Sequence, residues 1–135
     1  MIGTASPANH DYLRDLGAEP VTYGDGLVDA VRKLAPDGVD VVVDLIGGDA
    51  LAATPKLLAD GGRSVSIIDA ATVRELGGAY VFVRGRGGQL GELLTLVADG
   101  TLRVEIAETF PLDRTADALR ASKGGHVRGK VVITV

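Results

Sequence analysis

The sequence contains no cysteine and only two histidines, His10 and His126, which lie far apart. The first absence excludes disulfides and cysteine-ligated zinc, and it leaves the redox compartment open. The second removes the close spacing that a histidine metal site needs. An excess of positive charge is missing too: 14 Lys and Arg stand against 18 Asp and Glu, a net charge of −4 with a pI near 5.0. Nucleic acid is therefore not an expected partner. Long apolar runs are absent. The longest, Val39 to Ile46, is interrupted by Asp and too short to span a bilayer, so no membrane partner is expected either. The first residues lack the basic region and long apolar run of a signal peptide, and the cytoplasm is the expected compartment. No G-x-S-x-G elbow, no H-E-x-x-H pair and no nucleophile–base–acid set can be assembled, so no catalytic residue is named.

What is present is the make-up of a folded domain. The 135 residues are 46% hydrophobic and 24% charged, enough for one domain with a real core and too few for two full ones. Strand and helix patterns alternate along them. Met1 to Thr4 reads as the end of a strand, and Pro7 to Leu16 as a helix with Pro in its first turn and Gly17 at its C-cap. Pro20 to Tyr23 is a short strand. Gly26 to Ala35 is a helix with Leu27, Val28, Val31 and Leu34 on one face and Pro36 beyond its end. Val39 to Ile46, nearly continuous and β-branched, reads as a parallel strand covered on both faces. A helix capped by Asp49 is expected through about Ala59, ended by Gly61-Gly62. Strands follow at Arg63 to Ile68 and Ala79 to Val83, and a helix at Gln89 to Asp99 with Leu90, Leu93, Leu94 and Val97 in one stripe. The last elements are a strand at Val104 to Phe110, a helix at Leu112 to Ser122 and a strand at Lys130 to Val135.

This alternation predicts an α/β fold, a doubly wound parallel sheet with right-handed crossovers. Ligands of such sheets sit outside the carboxyl ends of the strands. Thr4 to Asn9, Ile46 to Asp49 and Ser66 to Asp69 are the candidate loops.

Five segments carry a resemblance: GTASPANHDYLRDLGAEPVTY (3–23), VDVVVDLIGGD (39–49), LLADGGRSVSI (57–67), LGELLTLVADGTLRVEIAETFPL (90–112) and GGHVRGKVVITV (124–135). Together and in this order they resemble the C-terminal portion of the medium-chain dehydrogenase/reductase superfamily, the quinone-oxidoreductase-like and zinc-type alcohol dehydrogenase proteins. The resemblance implies a Rossmann-like domain lacking its first strand and its G-x-G-x-x-G loop, together with the family's N-terminal catalytic domain. It implies a division into a truncated dinucleotide-binding domain, 1–103, and a strand–helix–strand, 104–135, that in the family returns to the catalytic domain. Segment 104–110 is expected to pair with 129–135. The missing strand should leave two unpaired sheet edges, through which a homodimer could form.

The resemblance also implies a site for NADP, with weak or absent binding in the isolated chain, and no zinc. Thr4, Ser6 and Asn9 stand where an Asp or Glu would accept from the ribose 2′-hydroxyl and select NAD. These neutral groups tolerate a 2′-phosphate; alternatively, Ser6-Pro7 merely starts a helix. Arg14 either adds charge there or is a solvated helix residue. Tyr23 matches a residue beside the adenosine phosphate, or packs at a strand edge. Ile46, Gly47 and Gly48 would let backbone approach a ribose, or form a plain strand–helix turn. Ser66 and Ile67 would line the nicotinamide side. Phe82, with Val83, matches backbone that meets the nicotinamide amide, or belongs to the core. Lys130 matches a basic residue near the pyrophosphate, or is a solvated turn lysine. His126 and Arg128 share a glycine-rich surface loop. The function implied is the cofactor-domain portion of an NADP(H)-dependent oxidoreductase acting on quinones, enones or related carbonyls. The alternative is a non-enzymatic, stand-alone binding or oligomerising module.

Overall fold

Seven strands and seven α-helices alternate along the chain in a computed structural model that describes residues 1–125 and 127–135. His126 lies outside the described residues, and with it the surface reading of that histidine. The chain divides into two compact units, 1–83 and 84–135. The boundary expected at 103/104 falls inside the second.

In the first unit, β1 (Ile2–Thr4) pairs in parallel with β2 (Glu19–Val21). The connection is a 3-10 turn, Pro7–Asn9, followed by α1 (His10–Asp15), so the helix expected over Pro7 to Leu16 is two elements. After β2 comes α2 (Leu27–Leu34), which buries Leu27 and Val31. Asp29 in its first turn and Arg32 and Lys33 in its last complement the helix dipole. The Arg32 guanidinium donates to the carbonyls of Lys56, Leu58 and Pro36, tying the end of α2 to the next crossover.

A three-stranded parallel sheet follows: β3 (Val39–Asp44), β4 (Leu58–Ser66) and β5 (Ala79–Tyr80), in that order. The helix expected from Asp49 to Ala59 is instead α3 (Gly48–Ala52) and α4 (Thr54–Leu57), after which the chain is already in β4. Pro55 explains the break, because it lacks the N–H that a continuous helix needs and is at home in a first turn. Gly61 and Gly62 lie within β4 rather than ending a helix. The register jumps from Val39 opposite Leu58 to Val41 opposite Arg63, and Gly61, at φ 73°, lets the intervening residues bulge out. Asp69 caps a helix that no periodicity announced, α5 (Ala70–Glu75): its carboxylate accepts from the Thr72 N–H at 2.9 Å. The strand expected at Ala79 to Val83 keeps only its first two residues.

The core joins the two sheets of this unit. Val21, Leu27, Val31 and Leu57 are buried together, with Ile2, Val39 and Val42 packed against them. Leu51 and Val73 are fully buried. Yet among the described residues β1 is bonded only to β2 and β3 only to β4, so one edge of each is open. β3 is not covered on both faces: Val41 and Val43 are 53% and 60% exposed, while Val42 and Asp44 point into the packed side. A β-branched run of this length is also compatible with a strand covered on one side, which composition alone does not reveal.

In the second unit, α6 (Gly87–Ala98) buries none of its residues. β6 (Ile106–Pro111) pairs in parallel with β7 (Lys130–Thr134), joined through a 3-10 turn and α7 (Thr115–Lys123). Phe110 and Ala118 are its buried apolar residues among those described.

Candidate functional site

All pairings in the first unit are parallel, so the carboxyl ends of neighbouring strands adjoin. At the end of β1, Ala5 N–H donates to the Val21 carbonyl, and the His10 ring nitrogen Nε2 donates to the Ala5 carbonyl at 3.2 Å. Thr22 Oγ1 lies 3.5 Å from the same nitrogen. Thr4 is exposed, and Ser6 holds the N-cap position of the 3-10 turn without a side-chain cap bond. Its Oγ instead accepts weakly from Asn9 Nδ2, at 3.4 Å. Thr4, Ser6 and Asn9 thus share one turn, with two side chains linked. Arg14 is spoken for: it pairs with Asp11 at 2.6 Å on the exposed face of α1. Tyr23, just past β2, is 57% exposed.

The turn after β3 is held by Asp44, which sequence reasoning did not place in the site. Only 6% exposed, its Oδ1 accepts from Gly47 N–H at 2.9 Å and Ile46 N–H at 3.2 Å, and its Oδ2 accepts from the Ser66 hydroxyl at 2.6 Å. Burial pushes this carboxyl up, but the bonds from Ser66, Gly47 and Ile46 outweigh it and hold the group below the ordinary carboxylate value. The Ser66 hydroxyl in turn accepts from Ile68 N–H and Asp69 N–H, both at 3.1 Å. Asp69, whose N-cap bonds from Thr72 lower its own carboxyl, follows directly. The one sequence signal for this lock was an Asp closing a β-branched run three residues before a Gly-Gly pair.

Gly47 N-caps α3, a role expected of Asp49, which sits one step inside the helix without capping it. At φ 81° and ψ −163°, Gly47 occupies backbone space that side chains avoid. A Cβ there would stand 3.4 Å from Ile68 Cγ2, so the turns after β3 and β4 touch. Around them the apolar side chains face outward: Ile46 is 76% exposed, Ile67 38%, Phe82 71%. Phe82 is therefore not a core residue. Ser66 is fully buried with its hydroxyl engaged, so any ligand beside it meets its neighbours. Lys130 opens β7 and is described with the second unit. Among the described residues no three His, Asp or Glu side chains converge as metal donors.

Glycine-permissive backbone, exposed apolar side chains and a polar lock beneath them, all at strand carboxyl ends, form a cradle of the kind that nucleotide-binding sheets use. The family signature of zinc-binding dehydrogenases matches residues 16–133. The chain belongs to the zinc-binding dehydrogenase family.

Among its relatives is the protein named "Probable zinc-binding oxidoreductase, mitochondrial" of Arthroderma benhamiae, 27% identical over all of this chain and 44% of the relative. Among solved structures, an NAD-dependent alcohol dehydrogenase superposes with a TM-score of 0.82 at 28% identity, over 99% of this chain and 43% of that one. A Pseudomonas syringae pv. Tomato quinone oxidoreductase shares the fold, with a TM-score of 0.74 at 22% identity over 99% and 48% of the two chains. The chain thus spans less than half the length of these proteins. No helix among the described residues is long and apolar enough to cross a membrane.

Proposed function

We propose that this chain is the cofactor-domain portion of an NADP(H)-dependent oxidoreductase acting on a quinone, an enone or a related carbonyl. The observation that carries the reading is the cradle at the carboxyl ends of β3 to β5, where the Gly47 backbone and the exposed Ile46, Ile67 and Phe82 surround one locked pair of turns. The adenosine end would rest on Thr4, Ser6, Asn9 and Tyr23, with no carboxylate at Thr4 to repel a 2′-phosphate. A ribose would approach Gly47 and Gly48, and the nicotinamide end would meet Ile46, Ile67 and the backbone near Phe82. The bound nicotinamide supplies or accepts hydride; the residues of this chain orient it and shield it from water. The cradle suits a dinucleotide, and no step is assigned to a metal.

Calorimetric titration of the chain with NADPH and then NADH tests this. Weak binding is expected, with NADPH held more tightly than NADH. Equal or tighter binding of NADH would refute the cofactor preference, and binding of neither at millimolar concentration would refute the dinucleotide site itself.

A second reading, a non-enzymatic binding or oligomerising module, is favoured by the open edges of β1 and β3. Unpaired backbone groups on a strand edge are templates for another strand, and a homodimer through these edges would satisfy them. Light scattering at high protein concentration decides: a clean monomer removes the dimer.

A further inference from the structure

Ser66 has one hydroxyl proton and two lone pairs, and all three are engaged: the proton by Asp44, the lone pairs by the N–H groups of Ile68 and Asp69. Asp44 is engaged in the same way from the other side, by Ile46, Gly47 and Ser66. The two side chains therefore link four backbone N–H groups on two turns 22 residues apart in sequence. Beside the backbone bond from Ile67 N–H to the Asp44 carbonyl at 3.3 Å, one side-chain bond, Ser66 Oγ to Asp44 Oδ2, joins the halves. Charge-assisted bonds of this kind are short and strong, and this one is 2.6 Å in a buried setting. The Ser66 hydroxyl has no bonding capacity left for a ligand, and Asp44, 6% exposed, is spent on the turns.

We infer that Asp44 and Ser66 are a positioning pair, a clamp that sets the turns 45–48 and 67–69 as one rigid unit and so fixes where the nicotinamide half of the cofactor lies. The assignment rests on the dinucleotide reading above for its purpose, but the clamp itself needs no ligand to be seen. Breaking the central bond on either side loosens both turns, leaving them joined by the backbone bond from Ile67 to Asp44. Ser66→Ala deletes the link. Asp44→Asn turns an acceptor into an NH₂ donor aimed at an oxygen whose lone pairs are already taken. Because the adenosine end rests on the turn after β1, its binding is independent of the clamp.

Two measurements on the whole chain test this. The first is residue-resolved amide hydrogen exchange by NMR. Ser66→Ala is expected to speed exchange at Ile46 and Gly47, which Ser66 does not touch. Asp44→Asn is expected to speed it at Ile68 and Asp69, which Asp44 does not touch. If each substitution affects only the amides bonded to the altered side chain, the turns are not coupled and the inference fails. The second is calorimetry with whichever of NADPH or NADH the wild type binds, alongside the matching adenosine fragment, adenosine 2′,5′-bisphosphate or AMP. Both variants should weaken the dinucleotide by about tenfold or more, the loss expected for one charged hydrogen bond, and leave the fragment unchanged. A variant that merely unfolds the site would weaken both ligands. Unchanged dinucleotide affinity in both variants overturns the positioning role while the dinucleotide reading stands. A wild type that binds neither dinucleotide overturns that reading, and the positioning role with it.

Discussion

Residues 1–83 bury Leu51 and Val73 completely and gather Val21, Leu27, Val31 and Leu57 into one cluster, whereas in residues 84–135 only Phe110 and Ala118 reach burial among the described apolar residues. In α6 the stripe Leu90, Leu93, Leu94 and Val97 is 39–60% exposed. Both stripes are legible in the sequence, the one on α2 more sharply, yet α2 is packed and α6 is not. An amphipathic pattern names the side chains that gain from cover; it does not supply the cover. Burial of apolar area is the main favourable term in folding, so most of the measurable stability is expected in the first unit. All three tyrosines lie there, Tyr12, Tyr23 and Tyr80, and the chain has no tryptophan. Tyrosine fluorescence therefore follows the unfolding of that unit alone.

The sharpest way to break the contrast is to hollow the first unit. Leu51→Ala, at a fully buried position, should lower the unfolding free energy followed by tyrosine fluorescence by about 3 kcal/mol; a loss below about 1 kcal/mol would mean that the core is not where burial places it. Next in size is Asp44→Asn, with an expected loss of about 2 kcal/mol at neutral pH from the charged bonds to Ser66, Gly47 and Ile46. Since the folded-state carboxyl titrates below the ordinary value of 3.8, its contribution is fully present above that value and lost as pH falls through the folded one. Wild-type stability should thus decline on acidification below about pH 4 more steeply than that of the Asn variant, in which the Asp69 contribution, of the same sign, remains. Parallel curves would remove Asp44 from the account.

A smaller change goes the other way. The Thr54 hydroxyl is buried, with the residue 1% exposed, and has no hydrogen-bond partner among the described residues. Thr54→Val should raise stability by about 1 kcal/mol by removing that unmet group, read as a higher denaturant midpoint at unchanged slope. Smallest is Leu94→Ala in α6, at a side chain 60% exposed. A change within about 0.5 kcal/mol is expected. A loss comparable to that of Leu51→Ala would show that α6 is covered after all, and the contrast between the units would fall.

Elements whose cause is local were legible. The α2 face and the β-branched strand, expected over Val39 to Ile46 and formed over Val39–Asp44, follow from propensities that act within a few residues. The pairing expected of 104–110 with 129–135 formed between Ile106–Pro111 and Lys130–Thr134, in parallel. Where the reading went astray, a single residue had a role that a window average hides. Pro55 split one helix into two, and Asp69 started α5 with a bond to Thr72 that no hydrophobic period signals. At the site, the glycines of the turn after β3 were visible because backbone that must approach something closely needs them. The lock beneath was not, because Asp44 and Ser66 lie 22 residues apart and each alone resembles an ordinary strand residue.

By itself the sequence determined the alternation of strand and helix, hence parallel pairing with the strand carboxyl ends side by side, because side-chain periodicity and short crossovers leave few other topologies. It also set the neutral character of the turn after β1, where Thr4, Ser6 and Asn9 are simply the residues present. Tertiary structure decided the rest: that β1 and β3 share a core while each keeps an open edge, that Val41 and Val43 face outward, and that a buried carboxylate meets a buried hydroxyl to fasten two turns. Each of these depends on which distant residues come within hydrogen-bonding or van der Waals reach. Such reach is a property of the folded chain, not of any window along it.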